Sequence, residues 1–210
     1  MKHIVLFGDS VFDNKAYVNG GLDVIAQVRQ RIPGGWEASL RAVDGSAVDN
    51  VRKQAIDLPE NATHLVVSVG GNDAILNAGI LQQKVATSAE VLDKLADLAD
   101  EFEYRYREML RNVLSLVKPT AVCTIYYPRI PEPFTQKIAV AALATFNDVI
   151  IRQAFLSGVP LIDLRLVCDD DSDYSNEIEP SEKGGGKIAN AIVRLVSEHN
   201  FESRRTEVFF

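Results

Sequence analysis

The first candidate for chemistry is a serine that comes soon after a short apolar run. The run Ile4–Phe7 is followed by Gly8, Asp9 and Ser10. A serine on a tight turn between a strand and a helix holds its hydroxyl above the carboxyl edge of the sheet, beside backbone N–H groups that can stabilise an oxyanion. Because all three residues also form turns and helix caps, the pattern also fits an ordinary strand-to-helix turn.

Two further clusters of small and polar residues follow later apolar runs. Gly45 comes shortly after the run Ser39–Val43, and Asn72 lies in the block Gly70–Asp73 after the run Leu65–Val69. Glycine lets the backbone approach a ligand closely, and the asparagine amide can donate a hydrogen bond to a developing oxyanion. If the three runs are parallel strands, their carboxyl ends bring these clusters to the same edge of the sheet as the serine.

Five short apolar runs alternate with longer segments of helical periodicity, which predicts the elements that position these residues. The predicted strands are Ile4–Phe7, Ser39–Val43, Leu65–Val69, Ala121–Tyr126 and Val159–Ile162. The predicted helices are Asp23–Ile32, Val48–Ile56, Ala89–Val117, Phe134–Leu156 and Gly185–Glu198. We therefore expect a single domain over residues 1–210, a three-layer α/β/α sandwich around a five-stranded parallel sheet.

Composition narrows the classes of partner. The 210 residues include 47% hydrophobic residues and carry a net charge of −7, which argues against binding to duplex nucleic acid or to an anionic membrane. Cys123 and Cys168 lie far apart without a CxxC pattern, so we expect neither a disulfide framework nor a zinc site, and no other metal or cofactor.

The sequence also indicates the compartment in which the protein is expected. The run Ile4–Phe7 is too short for the core of a signal peptide, and we find no run of 18 apolar residues. We therefore expect a cytoplasmic protein that does not bind a membrane.

The placement of Ser10, Gly45 and Asn72 resembles that of the SGNH, or GDSL-type, hydrolases, whose four named residues are Ser, Gly, Asn and His. The likeness extends through nearly the whole chain in strand order and spacing. It implies a flavodoxin-like sandwich and a serine esterase, lipase, thioesterase or deacetylase. It also implies that Ser10 is the nucleophile, with an oxyanion hole made by the Ser10 and Gly45 amides and the Asn72 side chain.

The last block departs from that family's pattern. Pro180 and Gly184 fix the register, which puts Glu179 at the position of the histidine and Asn176 at that of its aspartate partner. A glutamate can accept and return a proton and has no tautomer to fix, and Asn176 could donate a hydrogen bond to it. The family's imidazole base is therefore replaced by a carboxylate.

Two functions remain open at this point. The first is a serine-dependent carboxylic-ester hydrolase with Glu179 as the base, and the second is a catalytically inactive protein that binds an ester-like or carbohydrate-like ligand. Because the reference pKa of glutamate is about 4.3, the first requires burial or neighbouring acids, such as Glu177 and Glu182, to raise it. The survival of the other three family residues favours the hydrolase.

Residues beside these positions are expected to contact the substrate, a small ester or an acetylated sugar. Asp9 adjoins the serine, Gly71 and Asp73 flank Asn72, and Tyr127 follows the fourth predicted strand. An aromatic residue at such a strand end is suited to wall an acyl or alcohol pocket.

Three features lie outside this scheme. The acidic run Asp169–Asp173 resembles part of a calcium-binding loop, but the glycine that such a loop requires is missing. The run is therefore expected to be a solvated loop. The glycines Gly184–Gly186 suit close packing of the last helix against the site. The apolar end of Phe201–Phe210 is expected to dock on the domain or on a second copy in a homodimer.

Overall fold

Six parallel strands form one sheet in the computed structural model, which describes residues 1–210. The strands are β1 (His3–Gly8), β2 (Glu37–Leu40), β3 (His64–Ser68), β4 (Thr120–Cys123), β5 (Leu161–Ile162) and β6 (Val208–Phe209). Their order across the sheet is β2-β1-β3-β4-β5-β6. From β1 the chain first adds β2 on one side and then adds β3 to β6 on the other, so the strand order changes direction between β1 and β3. Ligands in such sheets bind at this switch point.

Helices cover both faces of the sheet. They are α1 (Val24–Arg31), α2 (Val51–Gln54), α3 (Gly71–Leu76), α4 (Ser88–Leu114), α5 (Pro133–Ser157), α6 (Leu164–Val167) and α7 (Glu182–Glu198). Side chains of β1 alternate between two cores: Ile4 and Leu6 pack with α1 and α7, while Val5 and Phe7 pack with α4 and α5. The structure therefore confirms the predicted α/β sandwich.

Local signals explain where the long helices begin and end. The Thr87 side chain accepts a hydrogen bond from Glu90 N–H at the start of α4, and Ser181 does the same for Gly184 at the start of α7. Helix α5 begins at Pro133 and ends at Ser157, and the next residue, Gly158, caps it in a left-handed conformation with φ of 63°.

The prediction of five strands was wrong by one. Val208 and Phe209 pair in parallel with Leu161 and Ile162, so the apolar end of the chain adds a sixth strand at the edge of the sheet. Polar residues precede Val208, so the sequence shows no apolar run of strand length there, and the short helices α3 and α6 were missed because one or two turns show no clear helical periodicity.

Helix α5 is the one helix that is long and apolar enough to cross a membrane by length and composition alone. In the structure it packs against α4 and β4, with Leu143, Phe146 and Ile150 in the core. Core helices of globular proteins also have this composition.

A glycine is required where β1 ends. Gly8 has φ of 133°, and a Cβ atom there would lie 1.7 Å from the carbonyl oxygen of Ser68 on the neighbouring strand. The amide side chain of Gln54 completes this junction, because it accepts a hydrogen bond from Gly8 N–H and donates one to Gly8 O. The turn that carries Ser10 is thus held tightly against β3.

The first turn of α7 contains three consecutive glycines, as expected for close packing. A Cβ at Gly184 would lie 2.1 Å from Asp173 O, one at Gly185 would lie 3.2 Å from the Val24 side chain, and one at Gly186 would lie 2.8 Å from Gln27. The glycines allow α7 to approach both α1 and the loop before it.

Candidate active site

Ser10 lies on the turn after β1, at the switch point of the sheet. Its hydroxyl donates a hydrogen bond of 3.1 Å to Glu179 Oε1, although 169 positions separate the two residues in the chain. Both side chains are buried, with 8% of Ser10 and 6% of Glu179 exposed. The second oxygen, Glu179 Oε2, is buried without a hydrogen-bond partner. The structure thus joins the two residues that the sequence assigned to nucleophile and base.

The loop before α7 fixes the position of Glu179. Tyr174 and Pro180 form an isolated antiparallel bridge, and Ser175 N–H donates to Glu179 O at 2.9 Å. The Tyr126 hydroxyl donates to Ile178 O at 2.6 Å.

Asn14 ties the same loop to α1. Its side-chain nitrogen donates to Pro180 O at 3.2 Å, and its side-chain oxygen accepts from Val24 N–H at 2.9 Å. Neither Asn14 nor Tyr126 was assigned a role from the sequence, because both act on backbone groups whose position depends on the fold.

Asn176 has a different role from the one predicted. Its side-chain oxygen accepts hydrogen bonds of 2.9 Å from the N–H groups of Ile178 and Glu179. The expected hydrogen bond from the Asn176 amide to the Glu179 carboxylate is absent, because the side chain instead closes a local turn. Asn176 therefore shapes the loop that carries the carboxylate.

Burial is the main cause that raises the pKa of Glu179 to about 7. The charge of Asp44 raises it further, and the hydrogen bond from Ser10 opposes both effects. The charge that acts on Glu179 thus comes from Asp44 and not, as predicted, from Glu177 or Glu182. The Glu182 side chain instead accepts a hydrogen bond from Leu22 N–H. A carboxylate with this pKa can accept a proton near neutral pH.

Of the three predicted oxyanion donors, Ser10 and Asn72 line the cavity, whereas Gly45 does not. The N–H groups of Ser10 and Gly45 donate to no backbone carbonyl, and Gly45 has φ of 77°. Asn72 lines the same cavity as Ser10, and its side-chain nitrogen donates to Ser46 O at 3.0 Å. This bond leaves the second N–H of the Asn72 amide free for a ligand.

Of the four predicted substrate contacts, Asp9 and Gly71 line the cavity beside Ser10. Asp73 does not, because its buried carboxylate accepts a hydrogen bond from Val48 N–H and pairs with Arg105. Tyr127 also lies outside the cavity, and its neighbour Tyr126 takes its place. The sequence could not tell which of the two tyrosines faces inward, because β4 ends at Cys123 and the alternation of a strand no longer applies.

Asp9 is buried, with 2% exposed, and its Oδ1 accepts a hydrogen bond from Val11 N–H. Burial raises the pKa of Asp9 to about 8, and the charges of Glu179 and Asp73 contribute. The carboxyl group is therefore mostly protonated at neutral pH in the folded protein.

The Asp9→Asn variant should become progressively more stable than the wild type as pH rises. Because the pKa of Asp9 is raised on folding, the stability that its carboxyl contributes is complete below about pH 4 and is lost as pH rises to 8. Urea unfolding at pH 5 and pH 8.5 measures the difference. Exposed Asp93→Asn is the control; an equal change of both variants between the two pH values would contradict the assignment.

A largely aliphatic cavity of about 190 Å³ opens beside Ser10. Its polar wall contains Asp9, Ser10, Asn72 and Glu179. Helices α4 and α5 and the 3-10 helix Ala78–Gln82 supply most of the apolar wall, which includes Ile80, Leu81, Leu95, Leu98, Leu143 and Phe146. The sequence indicated these residues only as helix faces, so this pocket was not predicted.

None of the three histidines is near Ser10. His3 and His64 lie where β1 and β3 begin, which is the opposite edge of the sheet. The rings of His64 and His199 both contact Phe201. None of these three histidines could act as the base for Ser10 without a rearrangement of the fold.

The acidic run Asp169–Asp173 is neutralised by cations of the protein. Lys187 pairs with Asp169 at 2.8 Å and with Asp173 at 2.7 Å, and Arg129 pairs with Asp171 at 3.2 Å. The structure shows no group of three His, Cys, Asp or Glu residues that could hold a metal ion.

Two lipases and a phospholipase are among the solved structures that share this fold. An extracellular lipase from Streptomyces rimosus matches with a TM-score of 0.64 and 15% identity, over 95% of this chain and 100% of that one. A lipase/acylhydrolase from Enterococcus faecalis matches with a TM-score of 0.65 and 18% identity, over 93% and 95% of the two chains. A phospholipase A1 from Streptomyces albidoflavus NA297 has a TM-score of 0.63 and 16% identity, over 95% and 99%.

No match is found among curated proteins. The model of the GDSL-like lipase/acylhydrolase family matches residues 6–185, which include Ser10, Gly45, Asn72 and Glu179. With the parallel sheet and the serine at its switch point, this match shows that the chain belongs to the GDSL-like lipase/acylhydrolase family.

Proposed function

We propose that the protein is a serine-dependent carboxylic-ester hydrolase in which Glu179 replaces histidine as the general base. The observation that carries the proposal is the hydrogen bond of 3.1 Å from Ser10 Oγ to Glu179 Oε1 in a buried site. Family membership supports ester hydrolysis as the class of reaction. The free N–H groups of Ser10 and of the Asn72 amide at the cavity support an acyl-transfer mechanism.

In the first half of the reaction, Ser10 Oγ attacks the acyl carbonyl and its proton passes to Glu179. The carbonyl oxygen becomes an oxyanion, which accepts hydrogen bonds from the N–H groups of Ser10 and Gly45 and from the Asn72 amide. Collapse of this intermediate breaks the ester C–O bond, and Glu179 returns the proton to the leaving alcohol. Ser10 then carries the acyl group.

In the second half, water attacks the acyl group and gives its proton to Glu179. The second tetrahedral intermediate releases the carboxylic acid as the proton returns to Ser10 Oγ. Glu179 is ionised at the start and at the end of each half, so the proton balance closes without a third residue.

The aliphatic cavity favours a longer acyl chain over the small ester or acetylated sugar expected from the sequence. Apolar walls gain free energy from each buried methylene, roughly 0.8 kcal/mol by transfer data. An acetyl group would leave most of this surface uncovered. We therefore propose an acyl ester whose hydrocarbon chain enters the cavity lined by Ile80, Leu98 and Phe146.

A panel of p-nitrophenyl acetate, hexanoate and decanoate, assayed with the wild type and Ser10→Ala, tests the proposal. We expect kcat/KM of the wild type to rise from acetate to hexanoate, and Ser10→Ala to lose the activity. An alkyl fluorophosphonate should form a bond from phosphorus to Ser10 Oγ with loss of HF, which adds the mass of the alkylphosphonyl group to the wild type and not to the variant.

The same panel tests the competing function. The replacement of histidine by a carboxylate would also fit a protein that only binds an ester in this cavity. Equal, background rates for wild type and Ser10→Ala, without labelling, would overturn the hydrolase and favour the binding protein.

A further inference from the structure

Arg105 in α4 lies outside the cavity, yet its guanidinium group joins two segments of the site. Its terminal nitrogen lies 3.0 Å from Asp73 Oδ1 and also 3.0 Å from Asp49 Oδ2. Its Nε donates to the same oxygen of Asp49 at 3.2 Å. Asp49 follows the segment of Gly45, whereas Asp73 directly follows Asn72, so one side chain connects both segments.

Two hydrogen bonds join these segments directly. Asp73 Oδ2 accepts from Val48 N–H at 3.0 Å, and Asn72 donates its side-chain N–H to Ser46 O at 3.0 Å. Arg105 adds the third connection and anchors both segments to α4. That helix is a rigid support, because Phe102 and Tyr106 on either side of Arg105 are at most 2% exposed.

The two carboxylates that Arg105 contacts differ in burial. Asp73 has 1% of its side chain exposed, whereas 69% of Asp49 is exposed. Pairs with exposed carboxylates contribute little, but removing the cation beside a buried carboxylate leaves an uncompensated charge. The pair with Asp73 is therefore the one on which the geometry depends. Arginine suits this position because its planar group can meet two carboxylates at once.

We propose that Arg105 is a positioning residue of the oxyanion hole, which holds the Gly45 N–H and the Asn72 amide at the distance that an acyl oxyanion requires. The inference rests on the proposed function, since it assigns these two donors to catalysis. Small displacements of such donors reduce the rate without weakening the binding of the substrate, because they act in the transition state.

The test compares Arg105→Gln with the wild type on a p-nitrophenyl ester and on an alkyl boronic acid. The boronic acid forms a bond from boron to Ser10 Oγ, and its tetrahedral adduct imitates the intermediate while the serine proton passes to Glu179. We expect kcat to fall about 10- to 100-fold with KM unchanged, and the inhibition constant of the boronic acid to rise by a similar factor.

Three further variants separate positioning from folding. Arg107→Gln removes an exposed arginine from the same helix and should leave kcat and the inhibition constant unchanged. Arg105→Lys retains a cation that can meet one carboxylate, and its kcat should be intermediate. In Arg105→Gln/Asp73→Asn the amide oxygen can still accept from Val48 N–H without a buried charge, so kcat should recover in part.

Three contrary results are distinguishable. A folded Arg105→Gln variant with wild-type kcat and wild-type inhibition by the boronic acid overturns the role of Arg105 alone. The role of Arg105 is also overturned if the variant loses thermal stability while kcat and the inhibition constant of its folded fraction match the wild type. Absence of Ser10-dependent hydrolysis in the wild type overturns the proposed function and this inference together.

Discussion

Glu179→Gln should lower kcat/KM for a p-nitrophenyl ester about 10²- to 10⁴-fold, the usual contribution of a general base. Glutamine keeps the size of the side chain and can still form a hydrogen bond with Ser10, but it cannot accept the proton. Because burial raises the pKa of Glu179 to about 7, kcat/KM of the wild type should rise with pH and level off above that value. The rise reflects ionisation of the base, and the variant should not show it.

Two variants serve as controls for this result. Glu179→Asp keeps the carboxylate but shortens the side chain, so it should retain a pH-dependent, intermediate rate. Glu179→His restores the imidazole of the family. Adding Asn176→Asp should change its rate little, because the Asn176 side chain is engaged with the N–H groups of Ile178 and Glu179. Wild-type, Ser10-dependent hydrolysis by folded Glu179→Gln would place the base elsewhere.

Gly8→Ala should destabilise the protein by more than about 4 kcal/mol, enough to prevent folding of a domain of ordinary stability. The new Cβ would lie 1.7 Å from Ser68 O. Residues 8 and 68 are paired on the neighbouring strands β1 and β3 in the centre of the sheet. Neither strand can move without loss of its ladder hydrogen bonds. Soluble yield and urea unfolding at constant pH measure the effect.

Gly20→Ala is the matched control for Gly8→Ala. Gly20 also has positive φ, 90°, but a Cβ there would have no atom within 4 Å. Its cost is therefore backbone strain alone, about 1–2 kcal/mol. Unfolding of both alanine variants at similar urea concentrations would contradict the prediction. It would show that backbone strain, and not the clash with Ser68, accounts for the cost of replacing Gly8.

The parts of this molecule that the sequence predicted are those set by local pattern. Apolar runs located five of the six strands. The resemblance to the family, with Pro180 and Gly184 fixing the register, implied that Glu179 meets Ser10 across 169 positions. The strand boundaries were less accurate: β2 ends at Leu40, whereas Val43 was expected. Such ends depend on the pairing partner, which a single sequence does not specify.

The parts that it could not predict depend on contacts between distant segments. Asp73 looked like a substrate contact because it adjoins Asn72, but its carboxylate is directed toward Arg105, which lies on α4. The apolar cavity likewise arises from faces of α4 and α5 that read as ordinary core. In both cases the sequence shows the type of each residue, but it does not show which neighbours the side chain faces.

The three glycines at the start of α7 affect the order in which the molecule is assembled. Each glycine disfavours the helix by about 1 kcal/mol relative to alanine, so this turn has little tendency to form alone. Its stability therefore depends on the contacts that it makes with Val24 and Gln27 of α1. The loop that carries Glu179 leads directly into this turn and is tied to α1 through Asn14. We therefore expect the base and its helix to form one cooperative unit that opens before the central strands do, which would make the amide hydrogens of the start of α7 exchange faster than those of β1 and β3.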